Sequence, residues 1–112
     1  MENLVIVEFA ELLERLSFKY SDFTQEDLVD VIEFSVFALR KLSNNENIDL
    51  TDYNNRAWIK RCCYEQLDKM ERGLFAGIKS YSENGYSFTL DSGDISLALQ
   101  SLIVPKAKCF TE

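Results

Sequence analysis

The chain has 112 residues, enough for one domain with a modest core. Apolar residues are 46% and aromatics 12%, which excludes disorder by composition; one proline and four glycines argue against a turn-rich all-β protein. Net charge is −7, from 12 Lys and Arg against 19 Asp and Glu, and neither half carries the clustered cations of a nucleic-acid-binding surface.

That charge is uneven. Up to Asn55 there are four basic and twelve acidic residues, a balance of −8; from Arg56 onward there are eight and seven, a balance of +1. Two solvated helix faces explain this, and so do complementary surfaces meeting between neighbouring copies. The three cysteines, Cys62, Cys63 and Cys109, make a poor disulfide framework, being odd in number with two adjacent in a helical segment. They read as reduced, small apolar fillers of a cytosolic protein. No basic region followed by an apolar core and a cleavage site opens the chain, and no apolar run is long enough to span a membrane.

The first helix is expected over 3–17, with Val5, Phe9, Leu12, Leu13 and Leu16 on one face. The opening "LVIV" fits a short strand as well, which leaves the start of this helix open. The second helix has a clear beginning: Thr24 is a natural N-cap, and Glu26 and Asp27 favour the positive end of the helix dipole. Phe23 and Leu28 occupy the positions of a hydrophobic staple. This helix runs to about Leu42 and is apolar around most of its circumference, with one polar stripe through Glu26, Asp30, Glu33 and Lys41. Such a helix is either the centre of the fold or has one face on the core and another on a partner.

After the loop "SNNENIDL", Thr51 or Asp52 caps a third helix reaching about Leu74. Its apolar stripe is Trp58, Ile59, Cys62, Cys63, Leu67 and Met70, and Glu65–Lys69 and Asp68–Arg72 are i,i+4 pairs in the favourable order. Gly73 and Gly77 loosen its end. In "YSENGYSF" the Asn84-Gly85 pair predicts a tight type I′ turn, hence a β-hairpin near residues 78–90. One hairpin face carries Tyr81, Tyr86, Phe88 and Leu90, and the other carries Ser80, Ser82, Ser87 and Thr89. A lone hairpin is marginal in water, so either the chain's own helices or a partner must cover the aromatic face. Asp94 or Ser92 caps a short last helix over about 95–103, which Pro105 stops. The fold class is thus mainly α: a bundle of about four helices with one hairpin. Residues 1–104 form a single domain, and 105–112 are expected to be a flexible tail.

The chain has no histidine, which removes the commonest general base and transition-metal ligand. No phosphate loop, zinc pattern or EF-hand spacing appears. No catalytic residue, cofactor or metal is expected, and Trp58, Phe34 and Phe37 read as core.

The segment "RAWIKRCCYEQLDKMERGLFAGIKSYSENGYSFTL", followed by "SGDISLALQSLIVPKAK", resembles the head–tail connector (adaptor) proteins of long-tailed double-stranded DNA bacteriophages and prophages. In that family the third helix typically ends in a "GL/GIKSxSExG" motif before a Ser-rich strand; here this is Gly77 to Gly85, then Tyr86-Ser87-Phe88. Asp94-Ile95, Leu97 to Leu102 and Pro105-Lys106 match the elements that follow. The resemblance covers residues 24–108. It implies a virion structural protein without enzymatic activity, present in the host cytoplasm during assembly. Its copies, roughly twelve in closed cyclic symmetry, would form a ring under the portal protein. The ring would extend the DNA channel and dock the tail or a stopper (head-closure) protein, with DNA passing through unread and no membrane involved. The expected protein–protein contacts are Tyr81, Tyr86 and Phe88 of the hairpin and Lys106 and Phe110 of the tail. The alternative is a small acidic phage regulatory protein that binds a host protein.

Overall fold

The structure is a computed structural model that describes residues 9–45, 47–73 and 95–103. Among these the chain is mainly helical, with four helices: α1 (Ala10–Lys19), α2 (Gln25–Ser43), α3 (Tyr53–Glu71) and α4 (Leu97–Gln100). The expected hairpin lies outside the described residues, as do Cys109 and the tail after Pro105.

The second helix starts as its sequence predicts. Thr24 Oγ1 accepts from the Asp27 backbone N–H at 3.1 Å, and the Asp27 carboxylate accepts from the Thr24 N–H at 3.3 Å. That reciprocal capping box satisfies two backbone donors that would otherwise be orphaned. The helix ends on Asn44, whose left-handed backbone (φ 55°) turns its N–H back onto the Arg40 and Lys41 carbonyls. In between, Leu28, Val31, Ile32, Phe34, Val36 and Leu39 are all buried. Glu26 and Lys41 of the expected polar stripe are exposed, and Asp30 and Glu33 are half-buried. Of the two alternatives for so apolar a helix, α2 is the centre of the fold. Each fully buried aliphatic or aromatic side chain contributes roughly 1.5–3 kcal/mol by leaving water, so this helix dominates the core.

Helix α3 packs most extensively on α2. Asp52 is its N-cap, accepting from the Asn55 N–H at 3.1 Å. Trp58, Ile59, Cys62, Cys63 and Leu67 are buried and Met70 is partly so, as the periodicity predicts. The helix stops at Glu71, earlier than expected, because Gly73 takes φ +71° and its N–H bonds the Met70 carbonyl. A Cβ added there would meet nothing within 4 Å, so the glycine serves backbone conformation rather than space. Where α2 and α3 meet, Ser35 Oγ donates to the Val31 carbonyl at 2.9 Å and lies 3.3 Å from Cys63 Sγ. The small side chains satisfy the polar atoms locally.

Residues 3–8 of the first expected helix lie outside the described residues; among the described ones, α1 corrects the expectation at Phe9 and at its far end. Phe9 is its N-cap with a non-helical backbone (φ −122°, ψ 29°), and the helix runs on to Lys19. The Phe9 ring is buried, with the Arg56 guanidinium 4.8 Å from its centroid, so this residue joins the core from outside the helix. Eleven residues later, Tyr20 is also buried and donates its hydroxyl to Asp68 Oδ1 at 2.8 Å. Contacts from Phe9 to Arg56 and from Tyr20 to Asp68 mean that α1 and α3 run side by side in the same direction. Over a rise of 1.5 Å per residue the two spans match, about 16 Å against about 18 Å.

The last helix is shorter than expected and begins later. Its N-cap is Ser96, not Asp94 or Ser92; Ser96 Oγ accepts from the Leu99 N–H at 3.3 Å. Tertiary bonds set this start and hold the turn down. The Ser96 N–H donates to Glu65 Oε2 at 3.0 Å, and Trp58 Nε1 donates to the Leu99 carbonyl at 2.9 Å. Ile95 and Leu99 are therefore buried and Ile103 is partly so, while Leu97 and Leu102 point outward. Glu65 and Asp68, expected to pair along α3, accept hydrogen bonds from Ser96 and Tyr20.

Candidate functional site

Tyr81, Tyr86, Phe88, Lys106 and Phe110 lie outside the described residues, so the surfaces below come from the helices. With most of α2 buried, these surfaces belong mainly to α1, α3, the loop between α2 and α3 and the end of α2.

The first is an open cleft of about 810 Å³ where the end of α2 and the first turns of α3 meet residues 102–103. Trp58, Leu39, Ile48 and Ile103 give it an apolar base, and Asn47, Asp49, Asn54 and Asn55 give it a polar rim. The rim is braced locally. Asp49 Oδ1 accepts from the Thr51 N–H at 2.9 Å and the Thr51 hydroxyl at 2.6 Å, and Asn55 Nδ2 donates to the Asp49 carbonyl at 2.8 Å. The Thr51 bonds hold the Asp49 carboxyl below its usual pKa, because they favour the charged form.

The second is an open cleft of about 420 Å³ between α1 and α3. Phe9 and Leu12 form its floor. Arg15, Arg56, Lys60 and Arg61 surround it, with Glu11 the acidic member. Arg56 is held by its stack on Phe9 and by Nη1 donating to the Leu50 carbonyl at 2.9 Å. Arg15 and Arg61 are exposed, and Tyr53 stands 82% exposed at the mouth. Reading the sequence alone missed this cluster. The spacing of Arg56, Lys60 and Arg61 marks a basic helix face, but Arg15 joins them only because α1 lies alongside α3.

The far end of the same helix pair carries aromatics. The Tyr20 ring lies 6.2 Å from Phe23 and 6.1 Å from Tyr64, with Lys19 Nζ within 6 Å of both tyrosines. Phe18 is 90% exposed beside this group.

The thiols do not form a reactive site. Cys62 and Cys63 are free and buried, and burial pushes the Cys63 thiol up to about 12 and Cys62 well above its ordinary value. A nucleophilic cysteine needs the opposite shift. Among the described residues no group of three or more His, Cys, Asp or Glu side chains could hold a metal ion, and no helix is long and apolar enough to cross a membrane. The described residues thus present two open clefts and exposed aromatics on a helical core. No family model, curated protein or solved structure matches the chain.

Proposed function

We propose that the chain is a structural subunit of the ring that joins the portal of a double-stranded DNA bacteriophage capsid to its tail. The observation that carries this reading is the segment Gly77-Ile78-Lys79-Ser80-Tyr81-Ser82-Glu83-Asn84-Gly85 with Tyr86-Ser87-Phe88 behind it, in its order after a long third helix and before Ile95 and Pro105. A small helical core built around the enclosed α2 suits a subunit that folds alone and then assembles. In this reading roughly twelve copies close a ring. A hairpin with aromatic face Tyr81, Tyr86 and Phe88 meets the portal or a neighbour, and Lys106 and Phe110 of the tail make the second contact. An acidic wall repels DNA phosphates, so the genome passes without being gripped.

The test is electron microscopy of portal-bearing capsids mixed with the purified protein. Density for a ring at the portal vertex is expected, and Tyr86→Ala with Phe88→Ala should abolish it while the monomer stays folded. Capsids that take up none of the unaltered protein would sink the reading. The charge of −7 and the exposed Phe18 and Tyr53 favour a second reading, a small acidic regulator of a host protein. That reading expects capture of a host protein and no affinity for capsids.

A further inference from the structure

Four of the chain's 12 cations meet in the α1/α3 cleft. Among the described residues Glu11 is the one acid with them, a balance of +3 in a chain whose net charge is −7. The α1–α2 corner lies at the other end of the same helix pair, next to the Tyr20–Asp68 contact. There Asp22 and Glu26 are exposed, and Asp27, held in its capping box, adds a third carboxylate, against the cation Lys19 of the α1 end. Arg56 and Asp68 are twelve residues apart along α3, so the two poles are separated by about 18 Å. The Debye length at physiological salt is about 8 Å, so the poles do not neutralise each other within one copy.

We infer that the basic cleft formed by Arg15, Arg56, Lys60 and Arg61 receives the acidic corner around Asp22 and Glu26 of a second copy of this chain. The contact deepens the ring reading above and rests on it for closure. A cleft on one copy and a corner on the next are different surfaces, so the contact is heterologous and generates a ring if the rotation closes. Guanidinium groups suit the role, because their planar fork takes a carboxylate through two parallel hydrogen bonds. The stack of Arg56 on Phe9 and its bond to the Leu50 carbonyl hold one wall of the cleft in place before the partner arrives, which lowers the ordering cost of binding. Exposed Tyr53 at the mouth supplies an amphipathic contact surface of the kind enriched at interfaces. A nucleic acid is the weaker occupant. The cleft is short and apolar-floored, and a polyanion running beyond it would meet the field of a net acidic chain.

The experiment is sedimentation analysis at millimolar protein and low salt, with three preparations besides the unaltered chain. One carries Lys60→Glu and Arg61→Glu, the second carries Asp22→Lys and Glu26→Lys, and the third is an equimolar mixture of the two. The unaltered chain should associate, with an affinity falling about tenfold or more as salt rises to physiological levels. Each variant alone should lose association by about the same factor, since its cleft and corner then share a sign. The mixture should regain it, because both cross-pairings are again opposite. Circular dichroism checks folding; if a reversal unfolds the chain, Lys60→Gln with Arg61→Gln replaces it and should still weaken association. A monomeric unaltered chain, undiminished association of either variant, or no recovery in the mixture overturns the contact. Capsid uptake of the unaltered chain is scored separately. Uptake without this charge dependence leaves the ring reading standing and removes the contact. Charge-swapped association without uptake does the reverse.

Discussion

Raising the pH above 9 should progressively destabilise this protein by way of groups that are silent at neutrality. Cys62 and Cys63 are fully buried between α2 and α3. Burial, and for Cys62 also the neighbouring Cys63 charge, raises both thiols above their ordinary 9.0. Tyr20 is raised above its ordinary 10.0, first by burial, then by its hydrogen bond to Asp68 and the charge there. All three are acids whose folded pKa exceeds the unfolded one. Their contribution is therefore complete below the unfolded values, and it is lost as pH climbs from there toward the folded ones. Between these limits the unfolded chain binds fewer protons, so stability falls as pH rises. For two thiols and one phenol the loss comes to about 3 kcal/mol at about pH 10 and about 7 kcal/mol at about pH 11. A domain of this size has roughly 5–15 kcal/mol in total, so the upper figure is enough to unfold a marginal one. Urea titrations under reducing conditions at about pH 8, 9, 10 and 11 measure the decline directly. The control is Cys62→Ala with Cys63→Ala. It should be less stable near pH 8 by roughly 1–3 kcal/mol, yet lose less than about 0.5 kcal/mol by about pH 10. A flat profile for the unaltered chain over that interval, or an equal decline in the control, would refute the reasoning.

Thr24→Ala removes the capping box of α2 and should cost about 1 kcal/mol, read as a lower urea midpoint at unchanged slope. Trp58→Phe removes the indole donor to the Leu99 carbonyl, which keeps its bond from the Leu102 N–H at 3.2 Å; a loss of roughly 0.5–1.5 kcal/mol is expected, read as a lower urea midpoint. Gly73→Ala should cost roughly 1–2 kcal/mol by its left-handed backbone alone, and since nothing crowds the site, Gly73→Asn should recover part of it. Phe18→Ser should change stability by no more than about 0.5 kcal/mol, because that ring is 90% exposed.

What the sequence made legible was local. Thr24, Asp52 and the stripe from Trp58 to Met70 were readable because caps and helical period depend on residues three or four apart. Gln66 was readable in principle: it lies three and four residues past Cys63 and Cys62, inside the stripe, and it is buried. Its polarity hid it. The last helix was misread because its boundary is set by Glu65 and Trp58, some thirty and forty residues upstream. Asp94 and Ser92 have the right chemistry for a cap, but Ser96 has the cap and a carboxylate waiting for its N–H. The first helix was drawn through Phe9 for a similar reason, since the period counts an apolar residue in register whatever its backbone does. The basic cleft was invisible because composition averages it away. A near-neutral second half and an acidic first half conceal four cations that only the side-by-side run of α1 and α3 collects.

The enclosure of α2 narrows where any partner can act. A helix apolar on nearly every side left two possibilities, a hub or a two-sided interface, and these make opposite demands on the rest of the chain. As an interface, α2 would bind through shape and apolar area, and salt would matter little. As a hub it is used up by folding, and recognition passes to α1, α3 and their loops, whose exposed surface is charged with isolated aromatics. Binding through such a surface is governed by charge complementarity, with specificity and encounter rate set by which poles face each other. On the proposed ring reading, such a subunit would stay monomeric at physiological salt until its scaffold is present. Contacts of this kind are individually weak at physiological salt and become strong only when several are made at once around a ring, where each contact raises the effective concentration of the next.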